Sequence, residues 1–258
     1  MILKNKLALI TGSNRGIGFS VLKKFSENGA NIIACSRTRS QKFEEDISDL
    51  SKKYNNKITP IYFDFLNKEK MEEGIKKIFE ISNDIDILIN NAGINHVALF
   101  QMTPLQKVKE IFEINFFSQL HLTQRIMKKM IINKKGSIIN IASNAAIECD
   151  IGRSGYASSK ASLIAFTKVL SKELGSFNIR VNAVRPGQIM TPGATKGTLN
   201  DPDGGHHVME KMFNMAQILP GVGLPVDVAK LVLFLVSSES NFITGEMINV
   251  DGGVAAKI

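Results

Sequence analysis

The sequence has no tryptophan and only two cysteines in 258 residues. Cys35 and Cys149 stand far apart and match neither a metal-ligand nor a redox spacing. This excludes a disulfide scaffold or a zinc module and suits a reducing compartment. Both read as small, inert core-type side chains. No apolar run is long enough to span a bilayer, and the opening Met1-Ile-Leu-Lys-Asn-Lys6 lacks a secretory layout, so a cytoplasmic protein without a membrane partner is expected. The net charge of +8 is dispersed in pairs such as Lys52-Lys53, Lys76-Lys77, Lys128-Lys129 and Lys134-Lys135. No basic block is interleaved with aromatics, so no nucleic-acid partner is expected. Of the four histidines, His206 and His207 are adjacent; neighbours on one stretch rarely chelate together, and no metal is expected. With 44% hydrophobic and 22% charged residues, the chain reads as one globular domain over residues 1–258.

What is present is an alternation. Lys6 to Thr11 is a short apolar run, as in a strand buried on both faces of a parallel sheet. A glycine-rich turn follows, then a helical stretch to Glu27 that ends in Asn28-Gly29. Further strands are expected over 30–35, 58–63, 85–89, 137–142, 179–184 and 246–250. Helices are expected over 67–82, from Pro104 to about Asn133, from Tyr156 onward, and over 225–236. Alternating strands and helices predict an α/β, Rossmann-like, doubly wound sheet of about seven parallel strands with helices on both faces. In such sheets ligands bind beyond the carboxyl ends of the strands. The glycine-rich turn, Asp64, Asn90 to Gly93, Ser143 and Pro186-Gly187 all fall there.

The turn Gly12-Ser13-Asn14-Arg15-Gly16-Ile17-Gly18 sits between strand and helix, and its glycines divide the work. Gly12 permits the tight turn, Gly16 lets backbone amides approach a pyrophosphate, and Gly18 lets helix pack on strand. The helix N-terminus then favours an anion. Farther on, Tyr156 and Lys160 are four apart on one helical face. A cation beside a phenol lowers its pKa from about 10 and suits it to acid–base work. Taken alone, such a pair reads as solvated surface. Asn115, in the interior of the long helix, is the other polar residue singled out, since asparagine is only a moderate helix former.

The set Thr11-Gly-x-x-x-Gly-x-Gly18, Asn90-Asn-Ala-Gly93, Asn115, Ser143, Tyr156-x-x-x-Lys160, Pro186-Gly187 and Phe242-Ile-Thr-Gly245 resembles the short-chain dehydrogenase/reductase family over essentially the whole chain. It is similar in pattern to 3-oxoacyl-carrier-protein reductases and to alcohol or sugar dehydrogenases. The resemblance implies an oxidoreductase acting on a carbonyl or secondary alcohol. In that mapping Tyr156 moves the proton and Ser143 hydrogen-bonds the substrate oxygen. Lys160 lowers the Tyr156 pKa and binds the nicotinamide ribose, while Asn115 holds a relay water. It also implies that Asn91, Ala92 and Gly93 follow the adenosine ribose and phosphates. Asp64 and Phe65 would flank the adenine, and Pro186, Gly187, Ile189 and Thr191 the nicotinamide end. Family members are commonly tetramers, so a homotetramer or homodimer is implied. An NADP(H)-binding sensor or assembly subunit is the alternative outside catalysis.

Cofactor choice has a physical argument. An acid at the end of the second strand binds a ribose 2′-OH and repels a 2′-phosphate. Here the strand ends Cys35-Ser36-Arg37-Thr38-Arg39, with no acid until Glu44. Arg37 can grip a phosphate through its planar fork, Ser36 can donate, and Arg15 stands in the nearby turn. NADP(H) is therefore expected ahead of NAD(H). The substrate is written in His96 to Gln101, Asn144 to Gly155 and a glycine-rich stretch over 190–223, read as a lid. Arg153 and Arg185 flank the expected pocket and suggest an acidic group on the substrate. A 3-oxoacyl thioester and a keto-sugar or other secondary alcohol both remain open.

Overall fold

The computed structural model of the protein describes residues 1–191 and 217–256. Most of the expected lid, with Gly193, Gly197, Gly204, Gly205, His206 and His207, lies outside the described residues. Short aliphatic runs form the strands β1 (Leu7–Thr11), β2 (Asn31–Ser36), β3 (Ile58–Tyr62), β4 (Ile87–Asn90), β5 (Gly136–Ile141), β6 (Ile179–Pro186) and β7 (Met247–Val250). They make one seven-stranded sheet in the order β3-β2-β1-β4-β5-β6-β7, and each neighbouring pair is parallel.

Strand periodicity divides the core in two. Ala8 and Ile10 of β1, Ile87 and Ile89 of β4, and Ile139 and Ile141 of β5 face one layer; Leu9, Leu88 and Ile138 face the other. Successive side chains alternate across a pleated strand, so a strand covered on both sides must be apolar throughout. The first layer is closed by α1 (Gly16–Glu27), α2 (Gln41–Tyr54) and α8 (Pro225–Val236). The second is closed by α3 (Lys68–Ile81), α5 (Ser118–Asn133) and α7 (Ser154–Leu174). In α1, Val21, Leu22 and Phe25 are fully buried, and burial of such a side chain contributes about 1.5–3 kcal/mol.

Helix ends follow the local chemistry. Gly29 adopts φ +85° after α1, and the amides of Gly29 and Ala30 return to the carbonyls of Ser26 and Phe25, a left-handed cap that few residues besides glycine accept. Asn67 caps α3, its side chain accepting from the Lys70 amide at 2.9 Å. The long helix expected over 104–133 has three parts: α4 (Leu105–Phe112), a wide π turn at Glu113–Phe117, and α5. Two elements go beyond the expectation. α2 carries Phe43, Ile47 and Leu50 at helical spacing into the first layer, a pattern legible in the sequence but overlooked. The four-residue α6 (Ala145–Glu148) is too short to leave a periodic signal. No helix among the described residues is long and apolar enough to cross a membrane.

Candidate active site

β1 sits between β2 and β4, so the chain winds outward in both directions from the β1/β4 seam. The helices after β1 and β4 pack on opposite faces of the sheet, so this seam is where such sheets place a ligand crevice. Thr11, at the end of β1, bridges it. Its hydroxyl donates to the Ile89 carbonyl at 3.2 Å and accepts from the Asn91 and Ala92 amides at 2.9 and 3.0 Å. The Asn91 amide group donates to the Thr11 and Gly12 carbonyls. The Gln119 side chain holds the Ala92 carbonyl.

The glycine-rich turn fits an anion. A Cβ on Gly18 would lie 2.1 Å from the Gly12 carbonyl oxygen, so only glycine lets α1 start this close to β1. Gly16 (φ +56°) faces Thr191, whose Cγ2 lies 3.4 Å from where a Cβ would stand. Arg15, the extended residue before α1, provides no side-chain cap, and the first turn carries no acid. The N-terminal amides of a twelve-residue helix thus face the crevice without a side-chain acceptor, a donor set suited to a pyrophosphate. Asn14 and Ile17 are partly exposed in the same turn. Ser13 departs from its expected role: it is fully buried, and both its hydroxyl and its amide donate to the Cys35 carbonyl.

At the ends of β2 and β3 a pocket of about 600 Å³ is lined by Arg37, Thr38, Tyr62, Asp64 and the α3 residues Lys70, Glu73 and Lys77, among others. Arg37 is exposed. Ser36, expected to donate to a phosphate, is buried and gives its hydrogen to the Thr38 carbonyl at 3.1 Å. The Phe65 ring lies in the second core layer against Phe63, 5.6 Å between centroids. The Phe65 carbonyl accepts from the Ser118 hydroxyl at 2.8 Å. One Asp64 oxygen accepts from the Leu66 amide. On the far wall, Gly187 abuts Asp251, the Pro186 carbonyl accepts from the Asn144 amide, and Ile189 is buried in the first layer.

The four expected catalytic residues come together. The Ser143 hydroxyl, which accepts from the Ala145 amide at 3.2 Å, lies close enough to the Tyr156 phenol to act on its protonation. Lys160 is buried, its ammonium donating to the Ile141 carbonyl at 2.8 Å. A Cβ on Gly93 would lie 3.2 Å from Asn115 Oδ1 and 3.4 Å from Lys160 Nζ, which fixes how closely the groups converge. Asn115 occupies the π turn, a wide turn frequent at functional sites. Its Oδ1 accepts from the Ile94 amide at 2.8 Å, and its Nδ2 donates to the Ile94 carbonyl and to Ser159 Oγ. Both amide hydrogens are thus spent, so the side chain is a clamp on the loop after β4, and Asn115 could meet a relay water only through a carbonyl oxygen. Ser159, which the sequence reading missed, donates in turn to the Tyr156 carbonyl at 2.7 Å. Its signal was faint: a serine one residue before Lys160 on the same helix.

The expected lowering of the Tyr156 pKa by Lys160 is not what the fold produces. Tyr156 as a residue keeps partial exposure, but the setting of its hydroxyl is dense. Burial dominates and pushes the phenol up, against smaller lowering effects of nearby Ser143 and of the Arg153 charge. Lys160 is itself brought down to about 8 by burial, and its ammonium is turned to Ile141. At neutral pH the phenol therefore holds its proton, ready as an acid. Arg153, expected to meet an acidic substrate, lies near the phenol and 3.7 Å from Asp150. Arg185 Nε and His96 Nε2 are buried without a hydrogen-bond partner among the described residues.

Comparison with known proteins agrees with this geometry. Residues 12–255 match the family described as Enoyl-(Acyl carrier protein) reductase. The chain is 35% identical over 254 residues to the 3-oxoacyl-[acyl-carrier-protein] reductase FabG of Chlamydia trachomatis serovar D, covering 98% of this chain and 99% of that one. It is 34% identical over 253 residues to the 3alpha-hydroxysteroid dehydrogenase of Mediterraneibacter gnavus, covering 98% of each. The crystal structure of Cj0485 dehydrogenase superposes with a TM-score of 0.88 at 28% identity, over 98% of this chain and 95% of that one. A doubly wound parallel sheet, with a family match over residues 12–255 and these relatives, establishes that the chain belongs to the short-chain dehydrogenase/reductase family, nicotinamide-dependent oxidoreductases acting on CH–OH and keto groups.

Proposed function

We propose that the protein is an NADP(H)-dependent oxidoreductase in which Tyr156 exchanges the proton at the substrate oxygen. The observation that carries this reading is the convergence of Ser143 and Tyr156 with buried Lys160, whose ammonium meets Asn115 at Gly93. When bound, the nicotinamide supplies or takes the hydride. Tyr156 gives its phenolic proton to a carbonyl oxygen during reduction, or takes one from an alcohol during oxidation. The Ser143 hydroxyl donates to the same oxygen as charge develops on it. Lys160, held by the Ile141 carbonyl, keeps a positive charge behind the phenol below about pH 8. Asn115 and Ser159 hold the Ile94 loop and the Tyr156 backbone in register.

The amides of the turn Gly12 to Gly18, with Asn91, Ala92, Gly93, Pro186, Gly187 and Thr191, would hold the dinucleotide. Arg37, exposed at the end of β2 with Arg15 nearby, would receive a 2′-phosphate. Among substrates, the relatives support a 3-oxoacyl thioester first and a cyclic secondary alcohol second. The reading includes a homotetramer or homodimer, for which Phe117, 52% exposed and packed on Phe112 and Phe116, offers an apolar face. Light scattering at the mass of a single chain would remove that part.

The test is a titration with NADPH and NADH, then turnover on a 3-oxoacyl thioester, a 2-enoyl thioester, keto-sugars and hydroxysteroids. NADPH preference with carbonyl turnover is expected, and Tyr156→Phe should lower kcat by about 10²–10⁴-fold. Turnover of the enoyl thioester alone, or full activity in Tyr156→Phe, would overturn the assignment of Tyr156.

A further inference from the structure

The corner between β2 and α2 that carries Arg37 also carries Glu44, the first acid after β2. A free carboxylate here would oppose a 2′-phosphate, but Glu44 is not free. Arg39 meets it with two nitrogens, Nε to Oε1 at 2.9 Å and Nη2 to Oε2 at 3.0 Å. The Tyr62 hydroxyl, reaching across from β3, donates to Oε1 at 2.9 Å. Most exposed ion pairs hold geometry poorly, but a bidentate guanidinium–carboxylate pair with a third donor is an ordered unit. The electrostatics agree: the Arg39 bond, then the Tyr62 bond, hold the Glu44 carboxyl below its usual range. Burial, then the Glu44 contact, push Tyr62 up to about 12, so the phenol stays a donor.

Tyr62 lines the same pocket as Arg37. Its wall also carries the cations Lys70 and Lys77 and the carboxylates Asp64 and Glu73. Arg37 has no ion-pair or hydrogen-bond partner among the described residues. A released Glu44 would have two routes to weaken phosphate binding: it adds a third negative charge to this wall, and it can take Arg37 as its own partner.

We propose that Arg39 is a positioning residue for coenzyme discrimination: by clamping Glu44 against Tyr62, it keeps that carboxylate away from a 2′-phosphate and leaves Arg37 to receive it. This rests on the NADP(H) reading. Releasing the clamp opposes only the phosphorylated coenzyme, because NADH brings no charge to this corner and its 2′-OH can donate to a carboxylate.

The experiment measures dissociation constants of NADPH and NADH by fluorescence titration for the full chain and for Arg39→Gln, Glu44→Gln and the double variant, with melting temperatures as a folding check. Arg39→Gln should weaken NADPH about threefold to tenfold, as expected for one unscreened carboxylate several ångströms from a phosphate, and leave NADH unchanged or tighter. Adding Glu44→Gln to Arg39→Gln should restore the wild-type NADPH:NADH ratio. Equal NADPH losses on removing Arg39 with or without Glu44 would make Arg39 a direct phosphate ligand and overturn the clamp. An unchanged ratio in Arg39→Gln overturns it as well. A wild-type protein that does not prefer NADPH removes the underlying NADP(H) reading instead, a result visible before any variant is compared.

Discussion

Replacing Lys160 by methionine should abolish activity and yet spare, or even raise, stability at neutral pH. The side chain is buried, and burial carries its pKa from 10.5 to about 8. At about 1.4 kcal/mol per unit, holding the ammonium charged at neutral pH costs about 3 kcal/mol. Opposing this, Nζ donates to the Ile141 carbonyl at 2.8 Å, and stranding that oxygen costs about 1–3 kcal/mol. Methionine fills similar space, so the variant should be about 0–2 kcal/mol more stable than wild type near pH 7. The sign reverses with pH. Between about 8 and 10.5 the unfolded chain binds a proton at Lys160 that the folded chain has released, so wild-type stability rises through that window. The variant lacks this gain. Its advantage over wild type should fall by about 2.5 kcal/mol between about pH 7 and about pH 10. Urea unfolding at both pH values measures this, since distant titrating groups cancel in the difference. A difference that does not move with pH would refute the claim that the ammonium is held in the interior at a cost.

The same lowered Lys160 value predicts that carbonyl reduction is flat below about pH 7 and declines as pH rises through about 8, where the cation behind Tyr156 is lost; a rate profile still flat a full unit above 8 would remove Lys160 from the proton path. Ser159→Ala strands one Asn115 hydrogen, and should cost about 1–3 kcal/mol in denaturant midpoint analysis, with a fall in kcat larger than any change in KM. Gly18→Ala places a methyl 2.1 Å from the Gly12 carbonyl, so α1 must shift; calorimetry should show lost dinucleotide affinity, and wild-type affinity would contradict the close-approach argument. Arg37→Ala should weaken NADPH by about tenfold while leaving NADH unchanged, as expected when a phosphate loses a charge-assisted partner.

Much of the architecture was legible because it follows from local pattern. Alternating aliphatic runs and helical stretches imply a parallel sheet covered on both faces, and the strands appeared within one or two residues of their expected positions. The glycine spacing marked the tight helix entry, since a Cβ at Gly18 has nowhere to go. Tyr156, Lys160, Ser143 and Asn115 could be named because together with the other motifs they resemble a known family; the Tyr156–Lys160 interval alone reads as solvated surface. α2 was overlooked although Phe43, Ile47 and Leu50 spell its buried face.

What the chain alone could not reveal depends on groups distant in sequence meeting in space. Side-chain periodicity does not specify that β1 lies between β2 and β4, nor that Thr11 locks the end of β1 to Asn91 and Ala92, 80 and 81 residues on. Neither Glu44's capture by Arg39 and Tyr62 nor the turning of Ser13 and Ser36 toward backbone carbonyls follows from spacing. The protonation of the site was the largest departure. A lysine four residues after a tyrosine suggests a lowered phenol, but desolvation depends on everything packed around both groups. In this fold burial outweighs the neighbouring charge, raising Tyr156 and lowering Lys160. Sequence determined which chemical groups are available and along which helix and strand faces they run. Tertiary structure decided which of them are dry, which are already spent on a partner, and which stand open to a ligand.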